Sequence, residues 1–204
     1  MPLRDRLCVV GIDHFGRFGF DQSLLELSIA ADVDVSTLTE MFGSVEGMRR
    51  ACDDFLMSSI RRSKTDALTS RDPGSWLAQL KNIESYAPML TYLIRSLEDG
   101  ERIGHTLLQQ MSENAEEYLE AAVRAGTVKS SHDTSGRARL VVMFGAGGFL
   151  LYRRMHQSPD DMGAVLRDYA RDLVMPALEM YTYGLMTDDN MYQAFLAAAA
   201  NSER

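Results

Sequence analysis

Apolar residues recur at helical spacing along most of the chain, and no segment alternates convincingly between apolar and polar positions. An acid or serine before proline, as in Asp72-Pro73 and Ser158-Pro159, is typical of a helix start, because proline suits the first helical turn. These signals predict helices at residues 3–16, 23–31, 35–41, 45–68, 74–84, 86–98, 102–125, 134–156, 159–186 and 188–201. The predicted fold class is therefore all-α.

Polar and turn-forming residues cluster at residues 69–74, which indicates a domain boundary there. Before it, the apolar pattern breaks at Asp32-Val33, and Asp34 offers an N-cap for the next short helix. Two short helices joined by such a turn are typical of a helix-turn-helix, although an ordinary helical hairpin has the same spacing. We predict a three-helix domain at residues 1–48, a connecting helix at 45–68 and a larger helical domain at 69–204.

The charge of the chain weakens the case for a nucleic-acid partner. The net charge is −8. Residues 1–60 contain five basic and ten acidic side chains, so the local net charge is −5. Cations that neutralise phosphates supply much of the affinity for DNA. The half that resembles a DNA reader is thus the more acidic half, and binding requires its few arginines to cluster.

Motifs for catalysis, cofactors and metals are missing from the sequence. The four histidines are scattered, and no zinc-protease, nucleophile-elbow or phosphate-binding motif occurs. Gly145-Ala-Gly147-Gly148 imitates a dinucleotide fingerprint, but Leu150 stands where the third glycine belongs and no βαβ pattern surrounds it. The preferred interpretation is a helix with a small-residue face that packs closely against another helix. We predict no enzyme activity, no cofactor and no metal.

The sequence also predicts a cytoplasmic protein without a membrane partner. No apolar run reaches membrane-spanning length, and the N-terminus lacks the features of a signal peptide. Cys8 and Cys52 lie far apart without metal-ligand spacing, so we expect two reduced core thiols.

Specific residues in the N-terminal segment match a known family. Phe15 and Gly19-Phe20 precede the two short helices, and Phe42 is followed by Gly43-Ser44-x-Glu46-Gly47-Met48. These elements, with Ala30-Ala31 and Val33, resemble the N-terminal domain of tetracycline-repressor (TetR) family regulators. The resemblance implies a DNA-binding repressor whose C-terminal domain binds a small hydrophobic effector that releases it from its operator.

The helix expected to read DNA departs from the family pattern. The family's turn usually has Gly-Val-Ser where this chain has Asp32-Val33-Asp34, and Glu40 repels phosphate. Val45 replaces a lysine that the family often has at the next helix start. The predicted DNA-contacting residues are Arg4, Arg6, Arg17, Ser36, Thr37, Thr39, Ser44 and Arg49. The alternative is a TetR-fold dimer with weakened or lost DNA binding that acts as a ligand- or protein-binding module.

The C-terminal domain contains a mixed set of aromatic, methionine and polar residues at helical spacing. Such a stripe is often plain core, but the chain has thirteen methionines, which adapt to irregular apolar partners. Pro88 should kink or start a helix and so open space nearby. The predicted ligand-binding residues are Trp76, Glu84, Tyr86, Met89, Tyr92, Met111, Asn114 and Tyr118.

The family's last long helices pair across a two-fold axis, and the resemblance implies a homodimer here. Two readers must span half-sites about one DNA turn apart, which also implies a double-stranded, palindromic operator. The predicted dimer-interface residues are Phe144, Gly148, Tyr152, Leu166, Tyr169 and Leu173.

Overall fold

The computed structural model describes residues 1–202, without the side chains of residues 75, 101–103 and 202. Within that range the chain is helical and contains no strand, which confirms the predicted all-α class. The N-terminal helices are α1 (Leu3–Phe18), α2 (Leu24–Ala31), α3 (Val35–Phe42) and α4 (Val45–Thr69). They are followed by α5 (Pro73–Lys81), a short 3-10 helix (Ile83–Tyr86), α6 (Ala87–Glu98), α7 (Glu101–Ala125), α8 (Thr134–Met155), α9 (Met162–Tyr183) and α10 (Asn190–Ser202). No helix of the described chain is long and apolar enough to cross a membrane.

Two proline-containing helix starts give opposite outcomes. Asp72 caps α5 as predicted, and its carboxylate accepts a hydrogen bond from the N–H of Gly74 at 2.9 Å. The predicted helix at 159–186 is wrong at both ends, because α9 runs only from Met162 to Tyr183. Its start is fixed by Asp161, whose carboxylate accepts the N–H of Ala164 at 2.9 Å. Pro159 lies in the preceding turn.

The predicted helix at 74–84 is also wrong at its C-terminal end. It ends at Lys81, and a 3-10 turn leads into α6. Pro88 lies in the first turn of α6, where its missing N–H costs no hydrogen bond. The prediction that Pro88 would start a helix is thus confirmed.

The main core joins the N-terminal helices to the C-terminal half. Its buried members lie on α1, α2, α3, α4, α6 and α7, and include Leu7, Phe15, Leu27, Leu38, Met48, Leu56, Tyr92 and Leu107. A second cluster lies between α7 and α8: Ala115, Tyr118, Leu119, Ala138 and Val142. Cys8 and Cys52 are free thiols buried in the main core, as expected.

The compact units of the structure do not follow the predicted boundary at residue 69. Residues 1–167 form one unit, and the chain from residue 168 onward forms another. Helices α6 and α7 pack on α1 and α4 within the first unit. The division into a reader at 1–48 and a ligand domain from 69 stays a prediction about function.

Candidate nucleic-acid interface and C-terminal domain

Helix α2, the first helix of the predicted helix-turn-helix, has a defined start and end. Ser23 and Glu26 form a reciprocal capping box, in which the Ser23 N–H donates to the carboxylate of Glu26 at 2.7 Å. The hydroxyl of Ser23 donates to the same carboxylate, and the two hydrogen bonds hold the pKa of Glu26 below its ordinary value. At the other end Asp32 adopts the left-handed conformation, with φ of 52°. Aspartate tolerates this conformation better than most residues, so the turn keeps its shape without the family's glycine.

Helix α3 begins at the expected position, but not with the expected cap. Asp34 occupies the N-cap in an extended conformation, yet its carboxylate accepts no capping hydrogen bond. The prediction that Asp34 caps as serine would is therefore wrong for the side chain. The N–H of Thr37 instead donates to the backbone oxygen of Asp34 at 3.0 Å.

One face of α3 is anchored in the core and the opposite face is exposed. Leu38 is completely buried, whereas Ser36, Thr39 and Glu40 are exposed and Thr37 is half-buried. The hydroxyl of Thr39 donates to the carbonyl oxygen of Val35 at 2.9 Å, so its proton is already used within α3. The predicted contact residues of α3 thus share a polar surface with an acid.

The start of α4 is closed by a side-chain cap from Ser44 and has an exposed acid, Glu46, in its first turn. The hydroxyl of Ser44 accepts the N–H of Gly47 at 3.2 Å, so this N–H group is not free to bind a phosphate. Glu46 is exposed in the same turn, and a hydrogen bond from Ser44 lowers its pKa. A Cβ at Gly47 would collide with the carbonyl oxygen of Phe42, so this position requires glycine.

The four predicted arginine contacts fall in different places. Arg4 lies beside the end of α3, where its guanidinium donates to the carbonyl oxygen of Met41 at 3.3 Å and stacks on Phe42. Arg6 is exposed on the same helix. Arg17, at the opposite end of α1, is exposed and lies 3.6 Å from the carboxylate of Asp13.

Arg49 is held inside the molecule. Its Nη1 lies 2.6 Å from the carboxylate of Asp99, and its side chain is only 17% exposed. Its guanidinium is therefore committed to a partner within the chain in this conformation. The structure thus places Arg4 next to α3, Arg17 at the other end of α1, and Arg49 against Asp99.

The predicted ligand residues lie at several places in the structure. Tyr92 is buried, and its hydroxyl donates to Asp53 at 2.7 Å. Tyr118 belongs to the second core cluster, whereas the indole N–H of Trp76 donates to the Ala67 carbonyl at 2.8 Å. Glu84 forms an ion pair with Arg167, and Asn114 donates to the Met57 carbonyl. Met111 packs on both core clusters. Tyr86 and Met89 are half-buried.

A cleft of about 900 Å³ lies between α4 and α7, and its lining includes none of these eight residues. It is polar and of mixed charge: Ser58, Arg61, Arg62, Thr65, Asp66, Glu113, Glu116, Glu117, Glu120, Ala121 and Arg124. Its composition differs from the apolar pocket that the sequence predicts.

Comparison with known proteins assigns the family. Residues 84–187 match the model of the tetracyclin repressor-like C-terminal domain. The HTH-type transcriptional regulatory protein RaaS of Mycobacterium tuberculosis (strain ATCC 25618 / H37Rv) is 52% identical over 198 residues, covering 97% of this chain and 93% of that protein. The chain belongs to the TetR family of transcriptional regulators. The crystal structure of a gamma-butyrolactone receptor (ArpA-like protein) matches with a TM-score of 0.45 and 20% identity, over 83% of this chain and 94% of that one.

One face of α8 in this TetR chain is apolar and exposed. Phe144, predicted at the dimer interface, is 54% exposed, while Gly148 and Tyr152 are half-buried. A Cβ at Gly145 or Gly147 would meet no atom within 4 Å. Among the described residues, no helix therefore packs at these two positions on the small-residue face that we expected to contact another helix.

Four further apolar residues that the interface prediction does not name are exposed on this face, namely Leu140, Met143, Leu151 and Met155. Their spacing of three, four and eight residues on one helix was the signal that could have found them. By contrast, Leu166 is buried within the first unit at 4% exposure, so it offers little surface to a partner. Tyr169 and Leu173 lie in the second unit, where Leu173 is exposed and Tyr169 half-buried.

Proposed function

We propose that this TetR-family chain is a cytoplasmic, homodimeric repressor without enzyme activity, and that a small hydrophobic effector releases it from a palindromic operator. The observation that carries the DNA-binding part is α3, which is fixed by Leu38 on one side and presents Ser36 and Thr39 on the other. A short helix with an anchored back and a polar front can enter the major groove. The similarity to a protein named as an HTH-type transcriptional regulatory protein supports the same conclusion.

Each protomer offers few cations for binding DNA, so the contacts of both protomers are needed. Arg4 lies beside α3, and Arg6 is exposed two residues further along α1. Glu40 on α3 and Glu46 at the start of α4 are exposed, and their negative charge opposes phosphate binding. A dimer doubles each favourable contact, and because affinity depends on the number of neutralised phosphates, binding should be weak at high salt and strong at low salt.

The apolar face of α8 supports a homodimer. Phe144, Leu151 and Met155 are large and exposed, and the glycines between them allow a second helix to approach closely. Exposed apolar patches of this kind mark interaction surfaces. A two-fold axis would give two readers for two half-sites.

The effector part of the proposal concerns the predicted ligand-binding residues around α6 and α7. Met89 packs against the main core, Tyr86 is half-buried nearby in sequence, and Met111 packs on both core clusters. A ligand that enters here must separate packed residues, so it prefers a different conformation from the one described. Such a difference in affinity is what a ligand needs to shift the equilibrium away from DNA.

A mobility-shift assay with the DNA that flanks the gene tests the proposal. We expect the wild-type dimer to retain this duplex at low salt, and Ser36→Ala to weaken retention. Lys129→Ala removes an exposed cation from the loop between α7 and α8 and serves as the control that should bind as the wild type does.

The second candidate, a TetR-fold dimer that has lost DNA binding, is favoured by one observation. Glu40 on α3 and Glu46 at the start of α4 are both exposed. If the wild type retains no duplex at any salt concentration, this candidate replaces the first.

A further inference from the structure

Arg49 lies between an aromatic ring and a carboxylate that belong to different parts of the chain. Its guanidinium carbon is 3.5 Å from the centre of the Phe20 ring, and its Nη1 is 2.6 Å from Oδ2 of Asp99. Arginine suits both contacts, since its planar cation stacks on rings and pairs with carboxylates. Its buried Nη2 has no hydrogen-bond partner among the described residues. The guanidinium is therefore held by the stacking on Phe20 and the ion pair with Asp99.

The two partners of Arg49 connect the reader to the C-terminal half. Phe20 lies in the segment that leads from α1 into α2, and its ring packs on Phe15 at 5.7 Å and edge-on against Tyr92 at 5.6 Å. Asp99 follows directly after α6, before Gly100 turns the chain into α7. A displacement of the α6–α7 turn must therefore act on the cation that covers Phe20.

Helix α6 is fixed to the N-terminal helices at two further points. Tyr92 donates to Asp53 of α4 at 2.7 Å, and Arg95 donates to the carbonyl oxygen of Gly16 in α1 at 2.9 Å. The backbones also approach closely, because a Cβ at Gly16 would lie only 3.2 Å from the N of Tyr92. These contacts constrain the body of α6, while the Asp99–Arg49 pair constrains its end.

We propose that Arg49 is a positioning residue rather than a phosphate contact: the Asp99–Arg49–Phe20 unit sets the entry to α2 according to the position of the α6–α7 turn. This inference rests on the proposed function as a DNA-binding regulator and names the route by which its C-terminal half controls the reader. When Asp99 moves away, the Arg49 guanidinium loses its ion pair and no longer stacks firmly on the Phe20 ring. Helix α2 then packs less firmly against α1. The reader then presents α3 less well to DNA.

Hydrogen exchange of the full-length protein tests this without DNA. Asp99→Asn removes the charge and keeps the shape of the side chain, and Glu98→Gln makes the same change of net charge one residue away. We expect amide exchange in residues 18–31 to become about tenfold faster in Asp99→Asn, and to be unchanged in Glu98→Gln and throughout α8. Equal exchange in α2 for both variants would overturn the proposal.

Double substitution separates a positioning role from a merely structural one. If Arg49 and Asp99 act as one unit, Arg49→Gln combined with Asp99→Asn should speed α2 exchange no more than either change alone. Arg49→Lys keeps the ion pair and should restore most of the protection. Additive effects of the two single changes would contradict the unit.

Duplex binding then distinguishes this inference from the proposed function. With the DNA that flanks the gene, Asp99→Asn should bind about tenfold more weakly than the wild type, and Glu98→Gln should bind equally well. If the wild type binds no duplex while Asp99→Asn still loosens α2, the proposed function fails and the coupling stands. If the wild type binds and Asp99→Asn changes neither α2 nor affinity, the coupling fails alone.

Discussion

Tyr92→Phe removes one hydroxyl from the contact between α6 and α4 and leaves the ring in place. Tyr92 is completely buried, and its hydroxyl donates to Oδ1 of Asp53 at 2.7 Å. A hydrogen bond to a charged acceptor contributes about 1.5–3 kcal/mol to the free energy of unfolding. Asp53 is half-buried, and solvent compensates part of the loss, so we expect a cost of about 2 kcal/mol.

Thermal unfolding at pH 7 and fixed protomer concentration measures this cost. For a chain of this length, 1 kcal/mol corresponds to about 2–4 °C in Tm, so Tyr92→Phe should unfold about 4–8 °C below the wild type. Tyr86→Phe removes a hydroxyl from a half-buried ring that is not paired with Asp53 and serves as the control. A loss below about 2 °C, or the same loss in Tyr86→Phe, would refute the reasoning.

The cost should also depend on pH. Burial raises the pKa of Asp53, and the hydrogen bond from Tyr92 opposes that rise. A carboxyl with a raised pKa in the folded chain loses stability as pH increases from its unfolded value, about 3.9, through its folded value. Without the hydroxyl the pKa rises further. The difference between Tyr92→Phe and the wild type should therefore be smaller at pH 4 than at pH 7, and equal differences would contradict this assignment.

Three further substitutions test other parts of the account. Gly47→Ala should lower the free energy of urea unfolding by more than about 1 kcal/mol, because the new Cβ meets a backbone oxygen; unchanged stability would argue against that close approach. Ser23→Ala should cost about 1 kcal/mol through loss of the capping box, while Ser36→Ala should cost little in the same titration. Phe144→Glu should convert the dimer to a monomer in analytical ultracentrifugation; a dimer that persists, or the same dissociation in the exposed control Phe195→Glu, would show that the α8 face is not the interface.

The fold was largely predictable because its signals are local. Helical spacing, polar turns and the caps at Asp72 and Ser44 lie within a few residues of each helix start, and the structure confirms those helices. The errors also have local causes. Ser158-Pro159 has the composition of a helix start, but Asp161 supplies a better-placed carboxylate three residues later and the helix begins there instead.

The candidate site was less predictable because its parts meet through the tertiary fold. Arg49 looked like a cation on an exposed reader helix, and nothing near it in sequence showed that Asp99, fifty residues away, would pair with it. Tyr92 looked like a pocket residue for the same reason, whereas its partner Asp53 lies on another helix. Composition describes how many charged and aromatic groups a surface can have, but the packing of α6 on α1 and α4 decides which of them reach solvent.

The salt dependence of duplex binding tests the central claim most directly. Fluorescence anisotropy of the DNA that flanks the gene, titrated with the wild type at several salt concentrations, gives the slope of log affinity against log salt. The account predicts a steep negative slope for the wild type and for Lys129→Ala, whose exposed cation lies in the loop between α7 and α8. For Arg4→Ala the slope should be shallower by about 1.8, since a dimer would lose two phosphate contacts. Absence of binding at every salt concentration, or identical slopes for Arg4→Ala and the wild type, would contradict the placement of the DNA interface beside α3.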